Sequence, residues 1–244
     1  MPIDIPKALS PEERIHAYLE QMNSVIQPRD VDGKFHPSSF GGCRRKLSYA
    51  YACTEPMHRI DPRLRRTFQH GHAIHDMLQS WMRDVYNAKY AQDDTFYAFT
   101  FDDEVKITPT ELAQRYNIAG SADGLITLTD EGTGEQARVI YEAKSASSSS
   151  WTLGSPMKKH VMQASVYAFC LDATHILFDY YNKDKDAHKY FIVERDEQAW
   201  EEVKATLDAV VAQMDAGEMM PAEGSSWDCR SCGYYHVCQP ELQA

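Results

Sequence analysis

Apolar side chains recur every three or four positions in several long stretches of the chain. They do so in residues 11–26, 63–90, 157–171 and 197–214. This spacing predicts four amphipathic helices, because about 3.6 residues make one helical turn. The longest helix is expected to direct one set of side chains toward a core: Phe68, Ala73, Ile74, Met77, Leu78, Trp81 and Val85.

A shorter helix is expected over residues 43–53, after a loop rich in Pro, Gly, Asp and Ser. Ser38 and Ser39 precede it and are candidates to cap its first turn, since a serine hydroxyl can accept a hydrogen bond from a free backbone N–H. Cys53 at its end and Cys170 in a later helix have apolar neighbours, and both are interpreted as core thiols.

Alternating apolar and polar residues predict five strands. Two of them flank the Gly-containing turn at residues 131–134 and should form a hairpin across residues 120–144. The others lie at residues 96–106, 175–182 and 188–194. Helices and strands therefore follow one another in the order helix, sheet, helix, strands, helix. This order predicts an α/β core with mixed strand directions.

The second strand of the hairpin places Glu142 and Lys144 on one face, because successive side chains of a strand alternate. Ile140 continues that face inward, and Asp123 on the first strand could face Glu142 across the ladder. The two carboxylates suit a hard divalent cation, which can activate water and neutralise phosphate charge. The lysine adds a fixed positive charge near the same centre. The alternative is an exposed strand with an ordinary surface pair, which is common for a lone Glu-x-Lys.

Composition is ordinary for a globular protein, with 43% hydrophobic and 25% charged residues. The apolar runs are too short to span a membrane, and the first residues lack the pattern of a signal peptide. We therefore expect no membrane association and a reducing, cytoplasmic setting, or the host cytoplasm if the protein is phage-encoded. Cysteines in that setting are thiols or metal ligands.

The net charge of −11 argues by itself against nucleic-acid binding. Basic residues nevertheless cluster locally, at Arg44 with Arg45 and at Lys158 with Lys159. Screening over about 8–10 Å would insulate a local basic groove from distant acidic residues. These four residues are the predicted DNA-binding cations.

Two polar groups on predicted helices could complete a site with the hairpin. His75 lies one helical turn after Gly71, and Gln163 lies one turn before Tyr167. The Gln163–Tyr167 pair can orient a water, a lysine or a phosphate. The alternatives are a hydrogen-bonded core or surface histidine and a half-buried polar pair.

Together these features resemble the PD-(D/E)xK nuclease superfamily and, within it, the RecB-like exonucleases. The matching elements, in the order typical of the family, are Gly71-x-x-x-His75, Asp123, Glu142-x-Lys144 and Gln163-x-x-x-Tyr167. The resemblance extends over about residues 40–238. This chain has Ala122 before the aspartate, at the position where the family pattern has proline.

The resemblance implies a restriction-endonuclease-like core, a mixed central sheet flanked by helices. It implies that Asp123 and Glu142 bind Mg²⁺ or Mn²⁺, with His75 as a further ligand. Lys144 would then assist the water and the phosphate, and the glutamine and tyrosine would line the DNA side.

Three cysteines lie close together near the end of the chain, at Cys229, Cys232 and Cys238. They are too densely spaced for core thiols, and a tetrahedral thiolate site needs a fourth ligand. Cys43 is the best candidate, since it opens a helix beside positive charge that favours a thiolate. One upstream cysteine with a compact trio resembles the iron–sulfur staple of CRISPR-associated and AddB-type nucleases, which implies a 4Fe–4S cluster. Zinc is the rival, because four cysteines suit both metals.

The chain is therefore interpreted as one nuclease domain over residues 1–244. It would comprise an N-terminal helical part at 1–62, a nuclease core at 63–216 and a cysteine-rich segment at 217–244, with the cluster joining the two ends. Trp151, in the loop after the Glu-x-Lys strand, is either a base-stacking or a packing residue.

The expected function is metal-dependent exonuclease action on single-stranded DNA or DNA ends. The alternative is a nucleic-acid-binding subunit of a DNA-processing or CRISPR-adaptation-type complex whose nuclease site is incidental. A structural metal-binding protein with no nucleic-acid role is a third option. A homo-oligomer and a role within a larger complex are both compatible with the sequence.

Overall fold

One mixed β-sheet organises the molecule, in the strand order β1-β2-β3-β4-β5. The computed structural model describes residues 11–25, 31–57, 62–87, 97–225, 229 and 232–243. The strands are β1 Tyr97–Lys106, β2 Ser121–Asp130, β3 Gln136–Ala146, β4 His175–Asn182 and β5 Ala187–Glu194. β3 and β4 are parallel, and the other neighbouring pairs are antiparallel. The predicted mixed sheet and its hairpin are confirmed.

Seven α-helices lie in the described part of the chain. They are α1 Pro11–Val25, α2 Arg44–Tyr51, α3 Pro62–Asn87, α4 Glu111–Arg115, α5 Lys158–Cys170, α6 Glu197–Asp215 and α7 Tyr235–Gln243. Short 3₁₀ helices occupy Pro37–Ser39 and Ser148–Ser150. The four long helices and the short α2 were predicted to within a few residues. α4 and α7 were not, because each is too short for a clear apolar period.

The sheet is covered on both faces, and the alternation in β3 decides what each face buries. Ile140 lies in the larger core, which α5 and α6 share with β4. Tyr141 and Ala143 lie in a second core beneath α3. This two-sided burial is the α/β arrangement expected for a restriction-endonuclease-like core.

Part of the expectation for α3 is wrong. Ile74 and Leu78 are buried as predicted, but Phe68, Trp81 and Val85 are 48%, 44% and 55% exposed. Ala73 is exposed as well. The helix spans 26 residues, and its contacts with β1, β2 and β3 and with α1 leave these parts of its apolar side exposed.

Two expectations around α2 are also corrected. Its N-cap residue is Cys43, whereas Ser38 and Ser39 lie in the preceding 3₁₀ helix. Cys53 is exposed with a left-handed φ of +51°, because it follows the helix end, so it is not a core thiol. Cys170 is buried as expected.

Several contacts join α2 and the residues after it to the C-terminal segment. The N–H of Met220 donates to the Ser48 hydroxyl at 3.2 Å. The Tyr49 ring stacks on the Tyr234 ring at 5.2 Å. The N–H of Met57 donates to the carbonyl of Gly233 at 2.8 Å. The two ends of the predicted staple therefore meet through ordinary packing and hydrogen bonds.

None of the helices in the described ranges combines the length and the apolar character needed to cross a bilayer.

Candidate active site

Asp123 and Glu142 lie side by side at the centre of the sheet. Gly124 pairs with Tyr141 in the β2–β3 ladder, so the same register sets Asp123 opposite Glu142. The Asp123 Oδ2 accepts a hydrogen bond of 2.8 Å from the N–H of Ala143. The hairpin that the sequence predicts thus brings both carboxylates to one place.

Gly124 is needed for this arrangement because the sheet packs tightly against a buried ring. A Cβ at Gly124 would stand 2.3 Å from a ring carbon of Phe101. Phe101 is itself only 3% exposed and cannot move aside without disturbing the second core. Any side chain at Gly124 would therefore displace the strand that carries Asp123.

Glu142 is fully buried, and burial disfavours its negative charge. Its Oε1 accepts from the Lys144 ammonium, while its Oε2 has no hydrogen-bond partner. Burial and the adjacent Asp123 charge raise the pKa of Glu142 to about 7, against the opposing effect of Lys144. A buried carboxylate oxygen without a partner costs free energy unless a cation or a proton satisfies it.

Lys144 and Asp123 hold their charges in the same enclosed space. Burial opposes the charge of Lys144, but Glu142 and Asp123 raise the pKa of the ammonium above its ordinary value. Burial would raise the pKa of Asp123, but the neighbouring His75 and the charge of Lys144 lower it. The site therefore keeps a fixed positive charge beside at least one ionised carboxylate.

His75 reaches this pair from α3. Its Nδ1 lies 3.6 Å from the Asp123 Oδ1, and its side chain is 27% exposed. The neighbouring Asp123 carboxylate raises the pKa of His75 in spite of burial. The predicted histidine is thus at the site.

Gln163 and Tyr167 face the same site from α5. The Gln163 Nε2 donates to the Tyr167 hydroxyl at 3.4 Å. Burial, followed by the negative charge of Glu142, raises the pKa of Tyr167 above its ordinary value. The phenol therefore stays neutral and can act as a hydrogen-bond donor beside the carboxylates.

Two polar residues at the site were not predicted from the sequence. The Gln79 Nε2 donates to the Asp123 carbonyl at 2.8 Å and to the Glu104 Oε1 at 3.0 Å. Gln79 lies one helical turn after His75, and that spacing is the signal that could have revealed it. Glu104 gave no such signal, because exposed acidic residues are frequent in edge strands.

His160 is a third residue that sequence reasoning missed. Its Nδ1 lies 2.8 Å from the hydroxyl of buried Tyr180. Burial, with the nearby charges of Lys144 and Lys159, lowers the pKa of His160 to about 3. The imidazole is therefore neutral at physiological pH and supports Tyr180, which pairs with Lys144 across β3 and β4.

The residues at this site match the ligand preferences of a hard divalent cation. Asp123 and Glu142 offer carboxylate oxygens, and the unpartnered Oε2 of buried Glu142 is the atom that a cation would satisfy. As the side chains are placed, no group of three or more His, Cys, Asp or Glu among the described residues is arranged to hold a metal ion. Mg²⁺ suits such a site, because it is typically held by one or two carboxylates and retains several waters.

The four predicted cluster cysteines line a single cavity of about 450 Å³: Cys43, Cys229, Cys232 and Cys238. The Sγ of Cys43 accepts from the N–H of Glu223 at 3.5 Å, at the N-terminus of α2. The thiols therefore share one cavity although they come from opposite ends of the chain. Their donor chemistry suits a thiolate-ligated metal.

The predicted DNA-binding cations occupy two different environments. Arg44 forms an ion pair with Glu223, and Arg45 donates to the Met220 carbonyl at 3.2 Å. Lys158 and Lys159 are exposed at the start of α5, and Lys159 also lines the cysteine cavity. The Lys158 ammonium lies 3.6 Å from the Glu202 carboxylate, but its side chain is 81% exposed, against 41% for Arg44. The lysines are thus better placed than the arginines to meet phosphates.

Trp151 is half-buried and packs against the larger core. The Lys189 ammonium lies 5.0 Å from the centroid of its ring and donates to its carbonyl at 2.7 Å. One face of the indole is thereby covered, which favours the packing role for this residue.

A sequence model of the PD-(D/E)XK nuclease superfamily matches residues 82–239. The chain is also similar to a solved structure described as SSO0001, at 15% identity and a TM-score of 0.50, over 95% of this chain and 97% of that one. At this identity the likeness concerns the fold alone.

A second similar structure is an alkaline exonuclease, LHK-Exo, from Laribacter hongkongensis. The identity is 15% and the TM-score 0.46, over 95% of this chain and 100% of that one. For the structure of LHK-Exo in complex with dAMP the identity is 16% and the TM-score 0.45, over 95% of this chain and 100% of that one. No curated protein matches the chain. The superfamily match includes Asp123, Glu142 and Lys144.

Proposed function

Because this chain belongs to the PD-(D/E)XK nuclease superfamily, we propose that it is a Mg²⁺- or Mn²⁺-dependent deoxyribonuclease that acts on single strands or DNA ends. One observation carries the proposal. Asp123 and Glu142 lie side by side next to the Lys144 ammonium, and a buried Glu142 oxygen lacks a partner. This is a site for a cation and a negatively charged substrate.

Asp123 and Glu142 would hold the cation, with His75 beside Asp123. The cation, when bound, supplies a Lewis acid for a phosphate oxygen and a water of lowered pKa. The chain itself fixes the direction of the carboxylates, since the N–H of Ala143 holds one Asp123 oxygen. Such preorganised groups need no rearrangement when charge develops.

Lys144 supplies the positive charge that a phosphate needs in transit. Its raised pKa keeps the ammonium protonated. In hydrolysis the water oxygen bonds to phosphorus and gives up a proton, while the bond from phosphorus to the leaving sugar oxygen breaks and that oxygen takes up a proton. Lys144 would stabilise the negative charge on the phosphate oxygens during this exchange. The neutral phenol of Tyr167 can donate a hydrogen bond on the same side.

The proposed activity is tested with end-labelled single- and double-stranded DNA. We expect cleavage of at least one substrate with Mg²⁺ or Mn²⁺ and none with EDTA, because the carboxylates act only through the bound cation. The Asp123→Asn variant should be inactive under the same conditions. Failure of the metal-loaded protein to cleave any of these DNAs would refute the proposal, and the pattern of labelled products would separate exonuclease from endonuclease action.

DNA affinity is expected to depend on Lys158 and Lys159, in spite of the net charge of −11. Reversing both charges should weaken binding. It should also make the slope of log K against log salt shallower by about 1.4, since each phosphate contact on a single strand contributes about 0.7. Binding can be measured by fluorescence anisotropy with Ca²⁺, which avoids turnover.

The matched control reverses Arg115 and Arg138, two exposed arginines in other regions of the chain. Arg138 lies near the start of β3, six residues before Lys144, which is roughly 20 Å along an extended strand. Arg115 ends α4, which packs on α5. An equal loss of affinity in this control would show a nonspecific charge effect and contradict the assignment of the lysines.

We also propose that the four cysteines hold a structural 4Fe–4S cluster, with zinc as the rival metal. The support is their shared cavity and their thiol chemistry. Bound there, the metal would tie α2 to the C-terminal segment and take no part in hydrolysis, since each thiolate would be occupied.

A further inference from the structure

A third acidic residue stands in line with the two carboxylates of the site. The residues on either side of Glu104 pair with those on either side of Asp123 in the β1–β2 ladder, so the register sets Glu104 opposite Asp123. Asp123 is in turn opposite Glu142. The backbone positions of the three acids thus form one row across three adjacent strands.

The backbone at Glu104 departs from regular strand geometry. Its φ is +48°, in the left-handed region that side chains other than Asn and Asp seldom adopt. The ladder continues in the same register on both sides of it. The departure re-aims one side chain without shifting the strand.

Gln79 holds the re-aimed carboxylate at the site. This amide is only 3% exposed, and its Nε2 bonds both the Glu104 carboxylate and the Asp123 carbonyl. Glu104 itself is exposed to solvent. The Glu104 charge also contributes to the raised pKa of Tyr167, as do those of Glu142 and Asp123. The Glu104 carboxylate is therefore close enough to Tyr167 to act on it electrostatically, as Glu142 and Asp123 do.

The buried member of this row has one carboxylate oxygen without a hydrogen-bond partner. Glu142 is fully buried, and its Oε2 has no hydrogen bond. A hydrated cation that satisfies this oxygen would bring waters into the site, and the solvent-exposed Glu104 carboxylate could accept hydrogen bonds from them. Mg²⁺ keeps several waters when proteins bind it.

We propose that Glu104, held by Gln79, is a further cation-binding residue of this site and accepts hydrogen bonds from waters of the bound Mg²⁺ or Mn²⁺. The inference rests on the proposed function of the site. It assigns to Glu104 a role in metal affinity and in orienting metal-bound water, and it makes Gln79 the positioning residue.

The test is calorimetric titration of the full chain with Mn²⁺ alone, in the absence of DNA. Glu104→Gln should weaken Mn²⁺ binding about tenfold, the usual lower effect of losing an outer contact to a metal site. The glutamine oxygen can still accept from Gln79, so melting by circular dichroism should be unchanged. The Mg²⁺ concentration for half-maximal cleavage should rise by a similar factor, with the rate at saturating Mg²⁺ less affected.

Asp102→Asn is the matched control, because Asp102 is exposed on the same strand and its loss changes the net charge equally. It should leave Mn²⁺ affinity within about twofold, as expected for a screened surface charge. Asp123→Asn separates the two levels of the argument. If it weakens Mn²⁺ binding and Glu104→Gln does not, the role of Glu104 is refuted alone. If neither variant weakens binding, the cation site itself is refuted.

Discussion

Glu142→Gln is expected to abolish DNA cleavage while the protein stays folded. The substitution keeps the shape of the side chain and an oxygen that can accept from Lys144, but it removes the negative charge that attracts a cation. Loss of a metal ligand removes several kcal/mol of transition-state stabilisation, so the rate should fall by about 10³-fold or more. Single-turnover cleavage with Mg²⁺ measures this loss.

The same variant should respond differently to pH in the absence of metal. The pKa of Glu142 is raised from its ordinary value of 4.5 to about 7 in the folded protein. Its contribution to stability is therefore complete below about pH 4.5 and is lost as pH rises through 7. The melting temperature of Glu142→Gln relative to wild type should increase between pH 5 and 8 in EDTA. A constant difference would contradict the raised pKa.

Lys144→Ala should also abolish cleavage. Unlike Glu142→Gln, whose melting temperature should rise relative to wild type with increasing pH, it should destabilise the protein. It leaves the buried Glu142 carboxylate without its ammonium partner, which raises the Glu142 pKa further and destabilises the protein at neutral pH. Glu135→Gln is the matched control for Glu142→Gln, since Glu135 is exposed immediately before β3. Cleavage near the wild-type rate by either active-site variant would overturn the assignment.

Cys43→Ala is expected to give a colourless, iron-free and poorly soluble protein. Cys43 lines the same cavity as the C-terminal thiols, and a shared metal would close a loop over nearly the whole nuclease core. Loop closure restricts the unfolded chain, and metal binding to such a site is itself folding free energy. Visible absorbance and metal analysis after anaerobic purification measure the outcome.

Cys53→Ala and Cys170→Ala are matched controls for the loss of a thiol, one exposed and one buried. Both should remain brown and keep their iron. If the wild-type protein contains zinc and no iron, the iron–sulfur assignment is wrong. A metal would still link α2 to the C-terminal segment in that case. Full metal content in Cys43→Ala would remove Cys43 as a ligand. The contacts of Ser48 and Tyr49 with the C-terminal segment should preserve part of the junction in either case.

The strands and the central site could be predicted from the sequence because they depend on local periodicity. Alternation has a period of two, so one short turn was enough to place Asp123 beside Glu142 and to turn Tyr141 to the opposite face. Spacing along α5 likewise placed Gln163 next to Tyr167. These relations hold within one hairpin or one helical turn.

What the tertiary structure decided lies between elements that are distant in sequence. Helical spacing predicted Trp81 as a core residue, but no element of the described chain buries it fully, and it stays exposed. Arg44 is paired with Glu223, a partner that sequence spacing could not reveal. Gln79 and Glu104 meet only because α3 lies over β1. Local periodicity sets which face a side chain takes, whereas packing of separate elements sets what that face meets.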